Sequence, residues 1–164
     1  MREYQICTRC IMDTTDPDIV FDERGECNHC QRFDNFISKI WPKGENATSK
    51  LDAMISTLKK EGKGKKYDCI IGLSGGIDSS YLALKVKEWG LRPLAVHVDG
   101  GWNSELASQN IEAVAKELDI DLFTDVINWP EMKDLQRSFL KSQVANQDVP
   151  QDHAFFAGLY RFAT

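Results

Sequence analysis

Cys69-Ile70-Ile71-Gly72-Leu73-Ser74-Gly75-Gly76-Ile77-Asp78-Ser79-Ser80 decides how the rest of the chain is read. The run from Cys69 to Leu73 is apolar and of strand length, and Tyr81 to Trp89 beyond the turn reads as helix. Strand, glycine-rich turn and helix N-terminus together make an anion site. The glycines let backbone N–H groups point inward with no Cβ in the way. The first helical turn adds unpaired N–H groups and the positive end of its dipole. Ser74, Ser79 and Ser80 carry hydroxyls that can donate to phosphate oxygens. Asp78 repels a polyphosphate unless it holds a cation, so it is assigned to Mg²⁺. No Gly-Lys-Ser/Thr closes this turn, and Gly-x-Gly-x-x-Gly is absent. The plainer reading is a strand–helix turn whose Ser and Asp cap the helix, but a cap needs fewer polar groups than this segment supplies.

Working outward, the pattern alternates. Strands are expected at Asp68–Leu73, Pro93–Val98 and Leu122–Ile127. Helices are expected at Ser79–Trp89 and Ser104–Leu118, then after Pro130 with Leu135, Phe139, Leu140 and Val144 on one face. Short apolar strands between helices predict a parallel sheet covered on both faces, a doubly wound α/β fold with ligands beyond the C-terminal strand ends. The second such end reads His97-Val98-Asp99-Gly100-Gly101-Trp102. Strand alternation puts His97 and Asp99 on one face. Asp99 is read as a ribose or adenine contact, or else as the polar half of a turn. Trp102 is a lid, a substrate contact or plain packing. Farther on, Asp152 either caps a helix running through Leu159 and Phe162 or joins His153 in touching substrate or metal. The chain stops inside that helix with only three strands counted, so an incomplete sheet is expected, the N-terminal part of a longer one, whose open edge either self-associates, as a homo-oligomer, or requires a missing segment.

The cysteines define the other end of the chain. Cys7-x-x-Cys10 and Cys27-x-x-Cys30 are two hooks of the kind that aim thiolates at a tetrahedral zinc ion. An iron–sulfur cluster uses the same four thiolates. Ile19-Val20-Phe21 followed by Asp22-Glu23-Arg24-Gly25 predicts a strand and hairpin turn. Metal binding would supply folding energy that about thirty residues cannot gain from burial. His29 lies inside the second hook and is read as exposed, and Cys69 as a buried structural thiol. Phe33, Phe36, Ile37 and Ile40 then share a helical face ended by Pro42. Lys43–Ala47 reads as a linker. A helix from Thr48 or Ser49 carries Leu51, Met54, Ile55 and Leu58 and stops at Gly62. The lysine-rich run Lys59–Lys66 is a solvated linker, or else helps attract a polyphosphate. The expected domains are thus residues 1–32, 33–66 and 67–164. A length of 164 residues and 42% hydrophobic content suffice for one core plus a small appendage, and a net charge of −5 argues against a nucleic-acid footprint. No apolar run or signal-peptide pattern points to a membrane or to secretion, so a cytoplasmic protein is expected.

Ser-Gly-Gly-x-Asp-Ser at 74–79 resembles the PP-loop of the N-type ATP pyrophosphatases. With Cys7-Thr8-Arg9-Cys10-Ile11-Met12-Asp13, Tyr67 to Ser80 and His97 to Ser104, the chain resembles the bacterial N-acetyl sugar amidotransferases over essentially its whole length. Full members of that family are longer. The resemblance implies adenylation of an acetamido oxygen by ATP and its replacement by ammonia, giving an acetamidino sugar for a surface glycan or lipopolysaccharide. It implies that Ser74, Gly75, Gly76, Ser79 and Ser80 hold the pyrophosphate, with Ser74 and Asp78 at the reacting groups, Mg²⁺ on Asp78 and Asp99 on the adenosine. The implied partners are a nucleotide-linked N-acetyl sugar and a glutaminase and cyclase-like pair that supplies ammonia. Two other readings stay open: a tRNA sulfur transferase, which also joins a zinc ribbon to a PP-loop, and a non-catalytic nucleotide-binding fragment.

Overall fold

A computed structural model of the chain describes residues 2–163. They form two compact units that divide between Ala53 and Met54.

The first unit is built on the cysteines. Cys7, Ile19, Cys27 and Cys30 are buried together, with Cys10 and Phe21 packed against them. The expected hairpin turn is present: Asp22 and Gly25 close it, and Asp22 Oδ1 accepts from the N–H groups of Arg24 and Glu26. The flanking strand is reduced to single antiparallel bridges, Phe21 with Cys27 and Ile6 with Asp13. A knot this small closes around its thiols before a ladder can extend. From Asn28 the chain turns helical as α1 (Asn28–Arg32), a π turn (Phe33–Ile37) and α2 (Ser38–Ile40). The π turn has a local cause. Ser38 Oγ donates to the Asp34 carbonyl, and the Ser38 N–H reaches back to the Phe33 carbonyl one residue farther. The helix ends where Trp41 becomes extended ahead of Pro42, as the ring of a proline demands. Its expected apolar face is not buried: Phe36 is 66% and Ile40 74% exposed.

Helix α3 (Glu45–Glu61) starts earlier than its apolar spacing suggests. Gly44 takes a left-handed φ of 60°, and its carbonyl accepts from Ala47 and Thr48, so the expected linker is already helix. Of the four expected apolar positions only Ile55 is buried.

The second unit holds a parallel sheet in the order β1 (Cys69–Gly72), β2 (Pro93–Asp99), β3 (Asp121–Val126). Gly72 pairs with Val96, and Val96 with Phe123. Helices α4 (Ile77–Glu88), α5 (Glu105–Glu117) and α6 (Trp129–Ser142) follow the three strands in turn, and α7 (Val149–Ala163) comes last. Pleat alternation divides them between the faces. His97, Asp99, Leu122 and Thr124 share a cavity wall with Ser108 and Ile111 of α5. Gly72 and Val98 face Leu159 and Gly158 of α7. The sheet is thus covered on both sides, with a core of Ile71, Leu73, Ala83, Val86, Ala95, Val96, Val98, Ile111 and Ala115. β2 is the buried middle strand. Among the described residues β1 and β3 are the two edges of the sheet. β3 is largely exposed, although Phe123 packs against Phe162 with the rings tilted and their centroids 4.3 Å apart.

At the N-terminal ends of the strands, Arg92 binds both oxygens of Asp68 and donates to the carbonyls of Gly62 and Lys65. Lys66 pairs with Asp121 at 2.9 Å. That is the end of the sheet opposite the glycine turn, so Lys66 serves the strand entrance.

Candidate functional site

The glycine turn leaves β1 as expected. Leu73 is 2% exposed and donates its N–H to the Val96 carbonyl, which fixes the strand exit against β2. Gly75 follows with φ 77°, and a Cβ there would stand 2.3 Å from the Ala107 carbonyl oxygen of α5. Only glycine lets the loop turn and touch α5 at once. Asn110 strengthens that contact by donating to the Gly75 carbonyl at 3.2 Å. Gly76 is the N-cap of α4 in an extended conformation, with no side-chain cap.

The hydroxyls behave differently from expectation. Ser79 Oγ accepts from the Ser74 N–H at 3.2 Å, lies 3.1 Å from Ser74 Oγ and donates to the Gly76 carbonyl. Ser80 Oγ donates to the same carbonyl at 2.8 Å. The serines therefore brace the loop. The groups left for an anion are backbone N–H: those of Gly75 and Gly76, and those of Ile77 and Asp78, which open the helix. Among the described residues none of these four has an acceptor. Ser74 and Asp78 are both exposed. A carboxylate beside free N–H groups suits a site that takes an anion with its counter-cation, so the residues fit Mg²⁺ with a polyphosphate.

Beside the loop a cavity of about 360 Å³ opens at the C-terminal ends of β1 and β2. Leu73, Ser74, Val96, His97 and Val98 form its strand side, and Gly100 and Trp102 its rim. Gln151, Phe155 and Leu159 of α7 close it. Its wall is apolar with polar groups at the mouth, a form that suits a flat heterocycle with a polar tail. Asp99 ends β2 and lines the pocket on the α5 side rather than this cavity. Its Oδ1 accepts from the Gly101 N–H at 2.8 Å and from Asn103 Nδ2 at 2.9 Å. The loop and Asp99 thus mark two neighbouring strand ends. Trp102 meets Trp129 edge-on, centroids 5.2 Å apart, and is 62% exposed at the rim.

Two expectations about the last helix are corrected. Asp152 is no cap, because α7 already begins at Val149 and the Asp152 N–H donates to Asp148. Asp152 and His153 are exposed and do not line the cavity. Gln151, Phe155 and Leu159 do, and sequence reasoning passed over them. Pro150 carried the signal: a proline in a first turn would have started the helix there and set those residues on one face at fourfold spacing.

In the first unit the sulfurs of Cys7, Cys10, Cys27 and Cys30 all lie within 4.8 Å of one another. Cys7–Cys30 is 4.0 Å and Cys10–Cys27 3.6 Å. A zinc–sulfur bond of about 2.3 Å gives tetrahedral sulfur separations of about 3.8 Å, so the four thiols fit zinc. None is in a disulfide. The N–H groups of Arg9 and Cys27 point at Cys7 Sγ. Burial works against the Cys7 thiolate, but these N–H groups outweigh it and hold its pKa at about 6. Burial and the neighbouring thiols push Cys30 up to about 12. Four sulfurs this close need a cation before all can ionise. His29 is exposed and bound to Asp16 at 2.7 Å, outside the cluster, as expected. Cys69 is only half-buried, and burial raises its pKa.

No helix among the described residues is long and apolar enough to cross a membrane. No protein-family model matches the chain. A search of curated proteins also returns no match. Solved structures do match. An NMN synthetase from Francisella tularensis aligns with TM-score 0.51 and 23% identity, over 70% of this chain and 48% of its own. An NAD⁺ synthetase from Burkholderia pseudomallei aligns with TM-score 0.49 and 15% identity, over 83% of this chain and 66% of its own. An NH3-dependent NAD synthetase from Campylobacter jejuni aligns with TM-score 0.47 and 16% identity, over 68% and 49%. The chain therefore spans about half the length of two of these structures and two thirds of the third. The first of these likenesses shows the fold, a parallel α/β arrangement, and this chain adds to it a four-cysteine cluster of zinc-ribbon kind.

Proposed function

We propose that the chain is the nucleotide-binding part of an ATP-dependent, AMP-forming amidotransferase that converts the acetamido group of an N-acetyl sugar into an acetamidino group. The observation that carries the ATP half is the loop: free N–H groups at Gly75, Gly76, Ile77 and Asp78, an exposed carboxylate on Asp78, and an apolar cavity beside them. The sugar half rests on the sequence resemblance.

In this reading the loop N–H groups hold the β and γ phosphates as they become pyrophosphate, and Asp78 holds Mg²⁺, which offsets phosphate charge. The cavity takes the adenosine, whose ribose would reach out of it to Asp99 at the adjoining end of β2. The acetamido oxygen bonds to the α-phosphorus as pyrophosphate leaves. Ammonia adds to the activated carbon, and the oxygen departs with AMP. An amide oxygen is a poor leaving group, and adenylation removes that barrier. The loop's contribution is positioning and charge stabilisation rather than a nucleophile. The cysteine cluster holds structural zinc. A glutaminase and cyclase-like pair supplies the ammonia. A cytoplasmic reaction follows, since ATP is abundant there and thiols stay reduced.

The test is a product assay on the full coding sequence with ATP, Mg²⁺, an ammonium salt and an N-acetylated nucleotide sugar. Mass spectrometry should show one oxygen exchanged for NH on the sugar, with AMP and pyrophosphate in equal amounts. Release of ADP, or sulfur appearing in tRNA instead, would overturn the reading.

A further inference from the structure

The two strand ends that frame the cavity are joined by one buried ring. His97 is 7% exposed in the middle of β2 and is the buried polar side chain of the sheet. Its Nδ1 lies 2.9 Å from the Leu73 carbonyl, the last peptide before the loop. Its Nε2 lies 3.0 Å from Asn103 Nδ2. Asn103 Nδ2 also donates to Asp99 Oδ1 at 2.9 Å.

The donor roles follow from the partners. A carbonyl only accepts, so Nδ1 carries the ring proton. The Asp99 carboxylate only accepts, so Asn103 must turn its NH₂ and not its oxygen toward it. The same nitrogen then presents its second hydrogen to His97 Nε2, which must accept. The ring is thereby fixed as the neutral Nδ1–H tautomer. Were the ring to carry a proton on Nε2, Asn103 would have to flip, and its oxygen would face Asp99. The network therefore has one arrangement in which every member is satisfied.

We infer that His97, with Asn103, is a positioning residue that locks the glycine loop to the Asp99 turn. The inference rests on the reading of this cavity as a nucleotide site. The Leu73 carbonyl lies in the peptide that also carries the Ser74 N–H, and that N–H donates to Ser79 Oγ. Fixing the carbonyl fixes the plane of that peptide, and with it the direction in which the loop N–H groups begin. At the other end, Asn103 steadies the carboxylate that also accepts from Gly101. A nucleotide that spans both strand ends needs both held in one register.

Two replacements separate this from plain core packing. His97→Asn keeps an N–H near the position of Nδ1, whereas His97→Leu fills the space with no donor. In ¹⁵N-labelled full chain, the wild-type ring should show the Nδ1–H tautomer at neutral pH. Hydrogen exchange at Leu73 and Ser74, whose N–H groups are bonded to the Val96 carbonyl and to Ser79 Oγ, should speed at least tenfold in His97→Leu and stay within threefold in His97→Asn. Neither readout needs a ligand. With ATP and Mg²⁺ added, His97→Leu should bind at least tenfold more weakly and His97→Asn within about threefold of wild type. An Nε2–H tautomer, or equal loop exchange in all three proteins, overturns the positioning role. A wild type with the expected tautomer and exchange pattern that ignores ATP overturns the nucleotide reading and confines His97 to ordering the loop.

Discussion

A methyl group at Gly75 would meet the Ala107 carbonyl oxygen at 2.3 Å, while one at Gly76 would find nothing nearer than Ser74 Oγ at 3.5 Å. Two adjacent glycines thus carry different duties. Gly75 combines a left-handed φ with a backbone contact that cannot yield, so Gly75→Ala should cost roughly 2–4 kcal/mol of stability. Gly76→Ala should stay within about 1 kcal/mol of wild type, because its conformation suits any residue. Urea denaturation of both variants checks this, and equal stabilities would contradict it. At this scale the sequence was informative wherever chemistry needs a fixed residue type. Gly75 at its left-handed turn and the four clustered cysteines could be read directly. The serines could not, because a hydroxyl donates equally well to a phosphate or to the Gly76 carbonyl, and only the folded turn brings that carbonyl within reach. Asn103 was passed over because its partners come from other places in the chain: His97, six residues back, and through it Leu73.

The elements were legible where periodicity was strong. All three strands lie within a residue or so of expectation, and Pro130 stands in the first turn of α6 as a proline should. Boundaries failed where glycine or proline geometry governs. Gly44 began α3 early and Pro150 began α7 early, since glycine permits a left-handed φ and proline fixes φ, and apolar spacing reports neither. The entrance to β1 and β2 is held by Asp68 and Arg92, and Asp68 is nearly buried at its side chain. Hydrogen bonds from the Arg92 guanidinium hold the Asp68 carboxyl below the usual carboxylate range. A carboxyl with a lowered folded-state pKa stabilises above its unfolded value, about 3.9. That contribution is lost as pH falls through the folded value. Asp68→Asn should therefore melt lower than wild type at pH 7, and the gap should narrow steadily below about pH 4. A gap that stays constant down to pH 2 would show that the charge on Asp68 is not what holds the strand entrance.

On the scale of the whole molecule, two units depend on different physics. The first has a core made mostly of thiols, with Cys27 fully buried at its centre. Protein purified without added metal should contain one zinc ion per chain by elemental analysis, and Cys27→Ser should bring that close to zero. In that variant the amide signals of residues 2–53 should collapse while those of the sheet persist, since the sheet has its own apolar core. An iron–sulfur spectrum, or a first unit that stays folded in chelator, would contradict the zinc assignment. The second unit carries the loop after β1, which is proposed to bind a nucleotide with its cation. The direct measurement is titration calorimetry of ATP into the full chain with Mg²⁺, without Mg²⁺, and in Asp78→Ala. One site per chain is expected, weakened at least tenfold both by withholding Mg²⁺ and by removing the Asp78 carboxylate. Unchanged affinity in Asp78→Ala, or no binding by a wild-type chain whose sheet is folded, would contradict it.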